Sequence, residues 1–203
     1  MPGFSDCNVE PAILARARRG DMKAHEILYR VYAAPVYTLA LRMLQNPSQA
    51  DDILQETSIE VIRKLDALRE EKTFPGWVKR IAVNKCLGHL RSAWNRRFSG
   101  GDPDIDGDGS RSYEGSDLGV DAAGAEQQLD AAQALGFLSP TARAVVWLFE
   151  VEGYTHQEIG QLMGRTASFS KSQLSRAHQK LRAVLGSMEG DESCTQTQSS
   201  YSA

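Results

Sequence analysis

No stretch of this 203-residue chain approaches the roughly 18 apolar residues that a membrane span needs. The opening residues, Met1 to Val9, have neither a basic start nor an apolar core, so no secretory signal is expected there. Cysteine is scarce. Cys7, Cys86 and Cys194 are odd in number, far apart and form no Cys-x-x-Cys pair, which argues against a disulfide framework or a zinc site. A reducing, cytoplasmic setting fits that usage. His25, His89, His156 and His178 are scattered, so no metal-ligand cluster forms along the sequence. Neither a phosphate loop nor a nucleophile elbow occurs, so no enzyme activity and no cofactor are expected. A strong charge of one sign is also missing: 23 Lys and Arg face 26 Asp and Glu, for a net −3. So mild an acidity excludes a protein that coats nucleic acid unaided, unless its charges are segregated along the chain.

They are segregated. Helical spacing predicts an all-α protein of two small helical domains joined by a flexible acidic linker. Pro11 to Arg19 reads as a short helix stopped by Gly20, with Asp21 able to cap the next. Met22 to Gln45 carries an apolar stripe that Pro35 should kink or split. After Asn46-Pro47, Ser48 is expected to cap a helix from about Gln49 to Leu68. A further helix spans about Pro75 to Phe98, with Trp77, Ile81, Leu87, Leu90 and Trp94 at its apolar positions. From Ser99 to Gly124 the chain turns to Gly and Asp and cannot bury enough surface to order itself. Helical pattern resumes from Glu126 to about Leu185. These changes predict domains at 9–98 and 125–186, a linker at 99–124 and a disordered tail at 187–203.

The clearest motif lies near the C-terminus. Thr155 and Glu158 form a Thr-x-x-Glu capping box, Gly164 is placed for a left-handed cap, and Thr166 can cap the next helix. Two short helices around such a turn predict a helix-turn-helix whose second helix enters the major groove. Between Ile159 and Met188 there is no acid, and Arg165, Lys171, Arg176, Lys180 and Arg182 supply positive charge for phosphates. Lys72 to Gly101 is a second acid-free stretch, with seven Lys or Arg interleaved with Trp77, Trp94 and Phe98. Aromatics among cations suit single-stranded nucleic acid, although Trp77 at helical spacing fits a core position at least as well.

Three motifs in this order resemble those of extracytoplasmic-function sigma factors. Asn46-Pro47-Ser48-Gln49-Ala50-Asp51-Asp52-Ile53-Leu54-Gln55-Glu56-Thr57 resembles the family's polymerase-binding motif. Phe74-Pro75-Gly76-Trp77-Val78-Lys79-Arg80-Ile81-Ala82-Val83-Asn84 resembles its promoter-melting segment. Leu138-Ser139-Pro140 with Glu152-Gly153-Tyr154-Thr155-His156-Gln157-Glu158-Ile159-Gly160 resembles the start of its C-terminal DNA reader. The resemblance covers roughly Pro11 to Leu185. It implies that Asp51, Asp52 and Glu56 give charge complementarity to the clamp helices of the core polymerase's largest subunit, while Ile53, Leu54 and Gln55 give contact area. It implies minus-ten contacts from Lys79, Arg80, Asn84, Lys85 and Arg91, where a flipped base is captured. It implies minus-thirty-five contacts from Ser168, Lys171, Ser172, Ser175 and Arg176, with Ser170 also near the helix start.

Departures matter too. Gln49 replaces the family's usual acid, and a Ser/Thr kinase acting on Ser48, Thr57 or Ser58 would restore negative charge there. An anti-sigma protein is the other regulator the resemblance allows. Phe149 stands where many members carry Arg. In the linker Asp104, Asp106, Asp108 and Gly109 open like a calcium loop, but Gly115 occupies the closing acid's place, so no metal is expected. The rival reading is an ordinary helix-turn-helix regulator that binds operators without polymerase. It leaves the acidic helix and the melting-like segment without a role.

Overall fold

The computed structural model describes residues 3–97 and 131–191. Among them are eight α-helices and no strand. The linker expected at 99–124 and the end of the polar tail lie outside the described residues.

The N-terminal body is built from α1 (Pro11–Arg18), α2 (Met22–Leu44), α3 (Pro47–Lys64) and α4 (Phe74–Arg97). Pro11 opens α1, where its missing N–H costs nothing. Gly20 then turns the chain at φ +81. Asp21 caps α2 by accepting from the Lys23 and Ala24 N–H groups. The Arg16 guanidinium also donates to Asp21 at 2.7 Å and, with those N–H groups, holds its carboxyl below the usual range.

Two local expectations are corrected. Pro35 does not divide its stretch, because α2 runs unbroken through it. An interior proline costs about 3 kcal/mol. Here it is buried beside Tyr32, Val36, Leu39, Ala40 and Met43, and that continuous stripe outweighs the lost bond. Nor does Ser48 cap α3. Asn46 does, its side chain accepting from the Gln49 N–H at 3.0 Å, with Pro47 at the first helical position.

The core brings α4 against α2. Phe74 is 1% exposed and meets the Tyr32 ring edge-on at 5.3 Å. Val78, Ala82, Val83 and Cys86 continue the buried side of α4. Burying a side chain such as Phe74 contributes roughly 2–3 kcal/mol, so this cluster fixes where the basic segment begins. Trp77 is half-buried and packs on Phe74 at 5.9 Å, which favours its core reading.

The C-terminal body comprises α5 (Ala131–Gly136), α6 (Pro140–Val146), a π-helical turn at Trp147–Val151, α7 (His156–Met163) and α8 (Ala167–Asp191). Ser139 caps α6. The two bodies touch. Arg143 of α6 is 6% exposed and its Nε donates to the Met43 carbonyl at 2.9 Å, at the C-terminus of α2.

Candidate docking and nucleic-acid interfaces

The helix-turn-helix follows from local chemistry. Thr155 Oγ1 accepts from the Glu158 N–H, while the Thr155 N–H donates to the Glu158 carboxylate at 2.8 Å. That box starts α7 and holds the Glu158 carboxyl below its ordinary value. Gly164 ends α7 at φ +67, where a side chain would be strained. The Thr166 hydroxyl accepts from the Phe169 N–H at the start of α8. Leu174 and Ala177 are buried beneath α8, and Leu181 packs on the same core.

Ser168, Lys171, Ser172, Ser175 and Arg176 are all exposed, at helical spacing along one side of α8. Gln179 is exposed one turn further on and extends this side. Sequence reasoning passed over it, although its spacing from Ser172 and Ser175 would have found it. Ser170 is different. It is 0% exposed, and its hydroxyl lies 3.0 Å from His156 Nδ1. His156 is half-buried and so bridges the start of α7 to α8. Phe149 stacks on it at 4.4 Å and so supports the reader from inside.

On α4, Arg80, Asn84 and Arg91 are exposed. Their spacing of four and seven puts them within one side of the helix. Lys79 and Lys85 flank that side, and both are engaged. Lys85 reaches Glu56 at 3.2 Å and Glu60 at 3.0 Å, tying α4 to α3. Hydrogen bonds to Glu60 and Glu56 raise the Lys85 pKa. Glu60 is held low, first by Lys64 and then by Lys85. Lys79 is held by the other body: its ammonium donates to the Glu152 backbone carbonyl at 3.0 Å, lies 3.5 Å from the Glu152 carboxylate, and sits over the Tyr154 ring.

The acidic motif is rearranged relative to expectation. Asp51, Asp52, Gln55 and Glu56 are exposed on α3. Ile53 is 2% exposed and Leu54 is half-buried against the core, so Ile53 builds the bundle and offers a partner no area. The apolar surface lies further along. Ile59 is 56% exposed, Ile62 41% and Tyr29 of α2 48%. Tyr29, Thr57, Ser58 and Ile62 line a shallow groove between α2 and α3. The signal for Ile59 and Ile62 was present as apolar residues of the stripe, but only packing shows which side of it is covered. Of the three hydroxyls near the motif, Ser48 is exposed. Thr57 is 1% exposed, so the fold presents no hydroxyl there, and Ser58 donates to the Leu54 carbonyl at 2.8 Å.

Among the described residues no group of three or more His, Cys, Asp or Glu is arranged to hold a metal, and no helix is long and apolar enough to cross a membrane.

Comparisons with known proteins bear on both bodies. The family model "Sigma-70 region 2" matches residues 28–96, and "Sigma-70, region 4" matches residues 128–181. The RNA polymerase sigma factor CarQ of Myxococcus xanthus is 31% identical over 87% of this chain and 97% of its own length. The ECF RNA polymerase sigma factor SigE of Mycolicibacterium smegmatis is 32% identical over 81% of this chain, and the match spans 62% of that relative. A third relative, the RNA polymerase sigma factor NccH of Alcaligenes xylosoxydans xylosoxydans, is 29% identical over 92% of this chain and all of its own length. Among solved structures, the sigma factor RpoE of Bartonella quintana, crystallised with the anti-sigma factor NepR, superposes with a TM-score of 0.51 at 21% identity. That superposition covers 82% of this chain and 97% of RpoE.

Proposed function

Since the chain belongs to the sigma-70 family, as a factor of the extracytoplasmic-function kind, we propose that it docks on core RNA polymerase through α3 and contacts promoter DNA through α4 and α8. What supports this reading is the sorting of charge. One exposed helix side carries Asp51, Asp52 and Glu56, and two others carry cations. Docking joins those acids, as steering charges, to Ile59, Ile62 and Tyr29, as the apolar centre that usually carries more of the affinity. Arg80, Asn84 and Arg91 face the minus-ten strand. Ser168, Lys171, Ser172, Ser175, Arg176 and Gln179 face the minus-thirty-five duplex, where side chains of this kind bind base edges and phosphates. The chain selects where polymerase starts, does no covalent chemistry itself, and acts in the cytoplasm where polymerase works. An operator-binding regulator gives the α3 surface no role.

The test is direct. Purified protein is mixed with core polymerase, separated by gel filtration, and assayed for transcription across a promoter library. The expected result is a stable complex and initiation confined to a subset of promoters. Absence of any complex, with template binding retained, would establish the operator-binding regulator instead.

Regulation by a kinase falls on Ser48. It is exposed in the first turn of α3, where a phosphate of about −1.5 to −2 charge is favoured by the helix dipole and lies one turn before Asp51 and Asp52. Ser48→Ala is expected to remove any rise in polymerase affinity that follows treatment with a cellular Ser/Thr kinase fraction. A rise that persists in that variant rules Ser48 out. An anti-sigma protein is the alternative regulator, and the exposed acidic and apolar surface of α3 is where it would compete with polymerase.

A further inference from the structure

The helix-turn-helix carries a polar contact within an otherwise apolar stripe. Ser170 is 0% exposed, and its hydroxyl lies 3.0 Å from His156 Nδ1. His156 opens α7 and Ser170 lies in the first turn of α8, so the bond joins the two helices of the reader. At about 100° per residue, Ser170 falls in line with Leu174, Ala177 and Leu181, on the side of α8 away from Lys171, Ser175 and Arg176. An apolar side chain would fill such a position without the cost of drying a hydroxyl. What the hydroxyl adds is direction. Apolar contacts tolerate sliding and rotation, whereas a hydrogen bond weakens steeply when bent.

The place of the bond gives that direction its use. Nearest the turn the two helices meet at backbone. A methyl group on Gly160 would stand 2.8 Å from the Thr166 carbonyl carbon, and the Arg165 N–H donates to the Gly160 carbonyl at 2.8 Å. His156 and Ser170 each lie about one helical turn, or roughly 5.4 Å, further out along their own helices. One contact at the vertex and one along the arms fix the angle between α7 and α8. The imidazole is itself held. Phe149, from the π-helical turn, stacks on its face at 4.4 Å, and the Thr155–Glu158 box fixes the backbone on which it stands. A second link from the same turn, Glu150 to His178 at 3.2 Å, has side-chain exposures of 47% and 41%, and pairs so open to water contribute little.

We propose that His156 and Ser170 are positioning residues for promoter discrimination: their hydrogen bond sets the angle at which α8 enters the major groove, and so which base edges Lys171 and Arg176 reach. Base-edge contacts are the part of such an interface that depends on angle. A bidentate pair needs two donors in line at once. A phosphate contact accepts a shifted cation with little loss, because Coulomb attraction falls slowly with distance. Loss of the bond therefore removes discrimination between sequences and spares affinity for DNA in general. The inference deepens the assignment of α8 to the minus-thirty-five element and rests on it.

The experiment uses the full chain bound to core polymerase. The probe is a promoter found in the library assay, both intact and with its minus-thirty-five element scrambled. The readout is the ratio of the two affinities at fixed salt. His156→Phe keeps a ring against Phe149 and removes the nitrogen, while Ser170→Ala removes the hydroxyl from the other helix. His156→Asn gives up the ring but places an amide where Nδ1 stands. His156→Phe and Ser170→Ala are each expected to lower the ratio roughly five- to tenfold, the lower end of what one base-edge contact carries. Affinity for the scrambled promoter should change by less than about twofold. The double variant should lose no more than either single one, since both remove the same bond. His156→Asn should recover most of the ratio. Should His156→Phe fail to fold, Ser170→Ala gives the same readout. A merely structural pair predicts that Tm and both affinities fall together with the ratio unchanged, and that result overturns the proposal. A parent chain that does not distinguish the two promoters overturns instead the assignment of α8 to the minus-thirty-five element, and the proposal with it.

Discussion

Gly160→Ala is expected to disable the C-terminal reader while leaving polymerase docking intact. A methyl group at this position would stand 2.8 Å from the Thr166 carbonyl carbon and 2.9 Å from the Arg165 and Thr166 carbonyl oxygens. All three are backbone atoms of the turn between α7 and α8, and they are held there. The Arg165 N–H donates to the Gly160 carbonyl at 2.8 Å, and the Thr166 hydroxyl caps α8. Helix propensity alone favours alanine over glycine by about 1 kcal/mol. Overpacking against fixed atoms costs typically 1–3 kcal/mol, and rigid backbone places this site at or beyond the upper end. The collision wins. In a body of this size, a net loss of about 2 kcal/mol lowers the Tm by roughly 8–16 °C. Thermal unfolding of the full chain should show that drop, with minus-thirty-five protection lost and association with core polymerase retained. A Tm within about 2 °C of the parent would show that the turn yields, against this account.

Reversing both acids of α3, Asp51→Lys with Asp52→Lys, is expected to weaken association with core polymerase by at least about 100-fold, or about 2.7 kcal/mol. Both side chains are exposed and neither forms an ion pair within 4 Å among the described residues, so the bundle loses nothing by the change. What changes is the encounter. On the proposed docking, two attractions to a basic partner surface would become two repulsions, and like charges set face to face cost several kcal/mol. Replacing them by Asn should fall well short of that, because it removes attraction without adding repulsion. Titration of labelled protein against core polymerase gives both values. An affinity for the reversed variant within threefold of the parent would move the docking surface off α3. Far-ultraviolet circular dichroism, unchanged, would show that the fold is not responsible.

Most of what shapes each body is written locally, and so was legible. The Thr155–Glu158 box, the left-handed Gly164 and the Thr166 cap are fixed by residues within four positions of one another. Ser168, Lys171, Ser172, Ser175 and Arg176, named by the resemblance, are exposed along one side of α8. What sequence could not supply was partners distant along the chain. Lys79 and Lys85 read as two more cations of one face, yet one is taken by Glu152 and the other by Glu56 and Glu60. Ile53 read as contact area because the motif names it, whereas packing turns it inward and leaves Ile59 and Ile62 outside. Asn46 and Ser48 are both good caps, and the choice fell to the residue whose backbone is extended, since Pro47 pre-sets the first helical turn. Pro35 misled for a different reason. Its intrinsic cost is real, but a buried stripe from Leu28 to Met43 outweighs it.

One further consequence follows from Arg143. A helix must finish its last carbonyls somehow, and α2 finishes two of them with a guanidinium from a residue a hundred positions away. Were the bodies to part, that guanidinium and those carbonyls would exchange one another for water, which would offset part of the cost of the break. Loss of those carbonyl partners would loosen the last turn of α2, so faster exchange of the amides in that turn would report separation without any label.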